Sequence, residues 1–305
     1  MTPSRSKRRL YAVVFCMRWF SHLWNWIWKP SMVHLKSQRE IERLRESADL
    51  VGRTLAEVAR HIEAGTTLRE LDAVAEDYIR THGAEPAFKG YQVGDNVFPN
   101  TLCTSVNDAV VHGIPDGYAL QDGDLLSIDC GAKLNGYYGD WGYTFAVGTI
   151  ADEDVALCRA TYRALLKGIE QAVAGRRVGD ISHAVQSHCE AHGYSVVRDL
   201  VGHGIGQSLH EDPQVPNFGS PGQGRLLKPG LSVCIEPMIN RGTAQVGTDA
   251  DGWTVRAADG LPSAHYEHMV VVRDGEAEVL SDFRYIEDVI EAPYKIDALK
   301  ETTTR

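Results

Sequence analysis

Four carboxylates that close apolar strands limit what this chain can become more than any other feature. Asp129 ends the run LLSIDCG, Asp140 lies in YYGDWGYTF, Glu236 closes SVCIEPM, and Glu267 sits in SAHYEHMVVV just ahead of an apolar run. A carboxylate at such a place is costly unless it is paired or holds a metal. The neighbouring sequence offers little Lys or Arg, so bound divalent cations are expected to supply the opposing charge. His203, between glycines in VGHGIG, adds an imidazole. Four carboxylates with one imidazole suit Mn, Fe(II), Co or Zn better than Ca. Two such ions about 3.5–4 Å apart can share carboxylates and activate a water. Taken singly, each residue could serve as a turn or cap. Their recurrence in Gly- or Pro-flanked strand ends favours the metal reading.

Hydrophobic spacing supplies the rest of the layout. Ile41, Leu44, Ala48, Val51, Leu55, Val58 and Ile62 recur at steps of three and four, which predicts a helix from Ser37 that Gly65 ends. Thr67 is expected to cap a second helix from Leu68 to about His82. Residues 88–100 read as a loop. Leu102–Val106 and Leu125–Cys130 read as strands, and Asn135-Gly136 as a hairpin turn between strands ending near Lys133 and starting near Tyr137. Helices follow from Asp152 to about Ala174 and from an Asp180 cap to His192, then strands around Ser232–Glu236 and His265–Val272. Two helices and strands, then two helices and strands, make an α+β fold with a duplicated half. No linker divides it, so one domain is expected over 32–289. Residues 290–305 carry few core signals and are expected to form a tail.

The segments LCTSVNDAVVHGIPD, IDCGAKLNGYYGD, GHGIGQSLHEDP, IEPM and SAHYEHMVVV, in this order, resemble type I methionine aminopeptidases from about Met32 to about Leu280. The resemblance implies the pita-bread fold, a pseudo-twofold duplication with a central antiparallel sheet, flanking helices and a dinuclear metal site. It implies that Asp129 binds one metal through both oxygens and that Asp140 and Glu267 bridge the two ions. His203 and Glu236 would complete the other shell. Glu236 would also accept a proton from the attacking water and pass it to the leaving amine. His112, in VVHGIPD, and His210, in SLHEDP, match the substrate-contacting histidines and would stabilise the oxyanion. Cys103, Phe98 and Trp253 are the matched candidates for an apolar methionine pocket. The implied activity is removal of the initiator methionine from nascent polypeptides ahead of a small second residue. An Xaa-Pro peptidase of the same fold and a non-catalytic peptide-binding protein on it are the alternatives. Xaa-Pro peptidases usually carry an extra N-terminal domain, which is not expected in the residues given ahead of the 88–100 loop, and the retained ligand types argue against lost catalysis.

Several residues depart from the commoner pattern: Trp141 in GDWGYTF, Leu209 before His210, Asp108, and a longer loop at Tyr91–Val97. These changes are expected at the pocket wall and rim, not at the metal. His183, His188 and His192 are expected on a solvated helix face. Strand alternation is expected to turn both His265 and His268 away from Glu267.

The ends and the charge complete the picture. Residues 1–36 carry seven basic residues and no acidic one, leaving 24 basic against 41 acidic residues, a net of −17, in the remainder. An acidic body argues against binding nucleic acid. Residues 1–31 hold RSKRR and four tryptophans. They read first as an extension ahead of Met32, with a membrane-surface anchor or a cleaved signal as alternatives, so membrane contact is expected only if they are retained. Six scattered cysteines without a CxxC pair fit reduced thiols in the cytoplasm. A monomer is expected, with ribosome association as a further expectation.

Overall fold

A computed structural model of the protein describes residues 33–290. The expectations for the Trp-rich extension and for the tail fall outside the described residues.

Two helical hairpins flank the strands. The first comprises α1 (Gln38–Ala59) and α2 (Leu68–Thr81), the second α3 (Asp152–Ile169) and α4 (Val178–Ala191). The predicted stripe of α1 is buried at Ile41, Leu44, Ala48, Val51, Leu55 and Val58. Each large aliphatic side chain so buried contributes about 1.5–3 kcal/mol. Ile62 lies past the helix end. Thr67 caps α2, accepting the Glu70 N–H at 3.3 Å, while Glu70 reaches back to the Thr67 N–H at 2.8 Å. In α4 the cap is Arg177, and Asp180 is the third helical residue, its carboxylate accepting the Arg177 N–H at 2.7 Å. The helix α3 stops at Ile169, short of the predicted Ala174.

The duplication is visible in local detail. Both α2 and α4 have 14 residues, and both end on a His-Gly pair whose glycine, Gly83 or Gly193, has φ of 74° or 81°. A two-residue strand follows each, Glu85–Pro86 and Ser195–Val196.

The strands that matter for the site form two antiparallel sheets. In the first, β1 (Leu102–Val106) and β3 (Tyr137–Ala146) flank β2 (Leu125–Leu134). In the second the order is β5 (Glu211–Pro216), β4 (Val201–Gly204), β6 (Ser232–Ile235), β8 (His268–Val271) and Glu278–Val279. A separate short strand, β7 (Ser263–His265), precedes β8 and pairs with Met238–Asn240. The predicted run from His265 to Val272 is therefore broken at Tyr266-Glu267. Within the predicted loop 88–100, Gln92–Val93 and Asn96–Val97 form a small hairpin.

The break joins the halves. Glu267 donates its N–H to the Gly142 carbonyl at 3.0 Å, and the Thr144 hydroxyl accepts the His265 N–H at 2.9 Å while donating to the His265 carbonyl at 2.7 Å. The helices pack outside, and a large core of Leu, Ile, Val and aromatic side chains runs through both halves.

Lys36 corrects the reading of a basic tail through residue 36. Its side chain is 1% exposed, its ammonium lies 2.5 Å from Glu211, and its N–H donates to the Gly230 carbonyl. It belongs to the folded body. Cys103, Cys130, Cys158, Cys189 and Cys234 are buried free thiols. Among the described residues no helix is long and apolar enough to cross a membrane.

Candidate active site

The hairpin turn sets the first two carboxylates. Strands β2 and β3 pair without interruption from Leu134↔Tyr137 to Leu125↔Ala146, so Asp129 faces Gly142 and Asp140 faces Gly131. The two acids are diagonal neighbours on one face, close enough to share a hydrogen bond. His203 comes from β4. Its Nδ1 bonds the Gly204 carbonyl at 2.9 Å, which turns Nε2 inward to lie 3.6 Å from Asp140 and 3.6 Å from Glu236. The flanking glycines are required by close packing. A Cβ on Gly202 would sit 2.5 Å from the Cys234 carbonyl oxygen, and one on Gly204 would run into that of Asp212. Glu236 follows β6, and Glu267 enters from the break between β7 and β8. The five predicted ligand residues thus meet at one place.

The charge balance there is unusual. Burial pushes the Asp129 carboxyl up to about 7, and burial followed by the neighbouring carboxylates pushes Asp140, Glu236 and Glu267 well above the ordinary range. Burial lowers His203 to about 4. Asp129 Oδ1, Asp140 Oδ1 and Glu267 Oε1 are buried without a hydrogen-bond partner. Oxygens left bare beside repelling carboxylates fit a divalent cation, which would supply the missing partner and the opposing charge. Ligand atoms of Asp140, His203, Cys234 and Glu267 lie within 4.8 Å of one another, as do those of Glu236, His265 and Glu267. Cys234 keeps its proton, because burial and the carboxylates raise its thiol, and it donates to the Asp140 carbonyl at 3.7 Å.

An apolar cluster adjoins the acids. Phe98, Cys103, Leu209 and Phe88 are buried together, with Trp253, Tyr91, Ile114 and Tyr138 packed against them. Cys103 stands directly opposite Asp129 in the β1–β2 ladder, and Phe98 meets Trp253 edge to face at 5.3 Å. His210 lies with its ring 4.3 Å from that of His203, and its Nδ1 bonds the Tyr91 hydroxyl at 2.6 Å. His112 has φ of 59°, a left-handed conformation that is strained for this residue type, and its desolvated imidazole is lowered to about 4.

Three expectations change. Trp141, one residue from Asp140, points to the opposite face of β3. It is fully buried, donates to the Ala48 carbonyl at 3.0 Å and lies against Phe283, so it is core and not pocket wall. His268 does turn away, bonding Ser281 and stacking on Phe283. His265 does not. Its Nε2 lies 4.0 Å from Glu236 and 3.9 Å from Glu267, and even in an unbroken strand residues two apart would share a face. The two-residue spacing is the signal for it. Tyr91 reads in sequence only as part of a loop, and short-range sequence carries no sign of its bond to His210. His183 on α4 and His192 just past its end are exposed, but His188 on α4 is half-buried.

Comparison with known proteins agrees with this geometry. Residues 42–274 match the model of metallopeptidase family M24. Methionine aminopeptidase 1 of Bacillus subtilis is 46% identical over 250 residues, covering 82% of this chain and 99% of its own. The methionine aminopeptidase of Clostridium perfringens is 48% identical over 250 residues, with the same coverage. The crystal structure of methionine aminopeptidase from Rickettsia prowazekii superposes with a TM-score of 0.80 at 37% identity, covering 82% of this chain and 100% of that one. The chain belongs to metallopeptidase family M24 and has that family's pita-bread fold. Like the family, it uses divalent metal.

Proposed function

We propose that the protein removes the N-terminal methionine from newly made polypeptides, preferring a small second residue. The observation that carries this reading is an apolar cluster built directly against four carboxylates, two of them buried and two partly so, with Cys103 opposite Asp129. Such a pairing suits a substrate with an apolar side chain and a polar group at its end. The kinship with methionine aminopeptidases supports it.

In this reading Asp129, Asp140, His203, Glu236 and Glu267 hold two divalent ions, from among Co, Mn, Fe(II) and Zn. The carboxylate oxygens of Asp129, Asp140, Glu236 and Glu267 and the Nε2 of His203 would be the ligand atoms. When bound, the ions would supply Lewis acidity for activating a water. Glu236 would accept a proton from the attacking water and pass it to the leaving amine. His112 and His210 donate hydrogen bonds to the developing oxyanion, with Tyr91 orienting the His210 ring. Phe98, Cys103, Leu209 and Trp253 enclose the methionine side chain. The catalytic domain spans 32–289, with an extension at 1–31 and a tail at 290–305. The enzyme acts as a cytoplasmic monomer that meets nascent chains near the ribosome.

The test is turnover of short peptides beginning Met-Ala, Met-Gly, Ala-Pro and Leu-Gly with added Mn, Co or Fe(II). Met-Ala and Met-Gly are cleaved, and Glu236→Gln lowers the rate by about 10²–10⁴-fold. Cleavage of Ala-Pro alone would replace this reading with the Xaa-Pro one.

A further inference from the structure

We infer that His265 is a second imidazole ligand of the metal centre, coordinating through Nε2 beside Glu236 and Glu267. The inference rests on the metal-dependent reading above, which gives His265 no part. Its side chain is 2% exposed, and its Nε2 is buried with no hydrogen-bond partner. That atom lies 4.0 Å from Glu236 Oε2 and 3.9 Å from Glu267 Oε2, too far for a hydrogen bond to either. The spacing is that of atoms around a common ion. With all three ligand atoms within 4.8 Å of one another, the point equidistant from them lies roughly 2.0–2.5 Å from each, a range that includes the bond lengths of about 2.0–2.2 Å that nitrogen and carboxylate ligands make to zinc.

Glu236 thereby stands between two imidazoles. His203 faces its Oε1 at 3.6 Å, and His265 faces its Oε2 at 4.0 Å. The surroundings hold His265 in place. The Thr144 hydroxyl grips both its N–H and its carbonyl, and Gly142, whose added Cβ would come within 3.1 Å of the ring, leaves room for it. A second nitrogen shifts the donor set toward Co, Fe(II) and Zn and away from Mn, since imidazole suits the former group and oxygen ligands the latter.

The test is proton NMR of the Co(II)-loaded full chain in H₂O and in D₂O. Each imidazole coordinated through Nε2 carries an exchangeable Nδ1 proton shifted by the paramagnetic ion. Wild type is expected to show two such signals and His265→Gln one. Titration calorimetry on the same proteins should show Co(II) binding weakened about tenfold or more in the variant. The wild-type count needs no variant, so poor folding of His265→Gln leaves the test intact. A single exchangeable signal in wild type, or both signals surviving in His265→Gln, overturns the assignment while leaving the metal centre standing. Failure of wild type to bind Co(II) at all overturns the metal-dependent reading and this inference with it.

Discussion

The hairpin β2–β3 and the broken segment β7–β8 each supply acids to the same centre, by opposite means. The hairpin is self-contained. An Asn-Gly turn and ten consecutive residue pairs place Asp129 and Asp140 on one face. The broken segment takes its shape from another strand. Glu267 leaves the ladder and bonds the Gly142 carbonyl, and Thr144 holds His265 from both sides. An acid set by local register survives changes far away in the fold. An acid set by another strand couples the site to how the two halves meet.

The largest expected effect treats both regions alike. Asp129→Ala in the hairpin and Glu267→Ala in the broken segment each lower activity by at least about 100-fold and abolish binding of one or both ions, read by peptide turnover and by metal content. This magnitude follows from the 10–100-fold cost of losing even an outer-shell partner. If Glu267→Ala kept full activity, the broken segment would not belong to the centre.

A change at the junction should then separate the two regions. Thr144→Val strands the His265 N–H and carbonyl, so unfolding by urea should show a loss of about 1–3 kcal/mol. Amide exchange should quicken at 263–268 and stay slow through 125–134. Equal quickening in both segments would erase the distinction drawn between them.

Acid behaviour sharpens the shared part. The Asp129 carboxyl titrates near 7 when folded because burial disfavours its charge, against an ordinary 3.8. Below pH 3.8 both states hold the proton. Between there and about 7 the folded state keeps a proton that the unfolded chain has lost, so stability falls as pH rises across that window. The metal-free protein should lose melting temperature from pH 4 to pH 7, by scanning calorimetry. Added divalent metal should restore it by binding the native state. A metal-free melting temperature that rises over this range would contradict the burial of these acids.

The smallest expected effect falls on the turn. Gly136 has φ of 85° with nothing near its Cβ position. Gly136→Ala should cost about 1–2 kcal/mol through backbone strain alone, with peptide turnover unchanged. A loss of turnover would mean that the hairpin is less self-contained than its register implies.

The same contrast separates what is legible in the sequence from what is not. Patterns with a fixed local period are legible: the apolar stripe of α1, the Thr67 cap and the Asn135-Gly136 turn. The four acids stand out by their apolar context, but Asp129 and Asp140 lie inside ten-residue strands, not at strand ends. The glycines around His203 are visible in the sequence, but their reason, neighbouring carbonyls that leave no room for a Cβ, is not. Trp141 is misplaced when nearness in sequence to Asp140 stands for nearness in space, whereas adjacent strand residues face opposite ways. His265 is misplaced by the converse slip, since residues two apart face the same way. Lys36 and Tyr91 are hidden for a different reason. Their partners, Glu211 and His210, lie 175 and 119 residues away, and no local period records such a pairing.

Convergence of both regions on one cation centre is tested most directly by anomalous diffraction from crystals grown with Co(II). Two peaks are expected, enclosed by Asp129, Asp140, His203, Glu236 and Glu267. No peak among these residues, or strong peaks only at other places on the protein, would contradict that convergence.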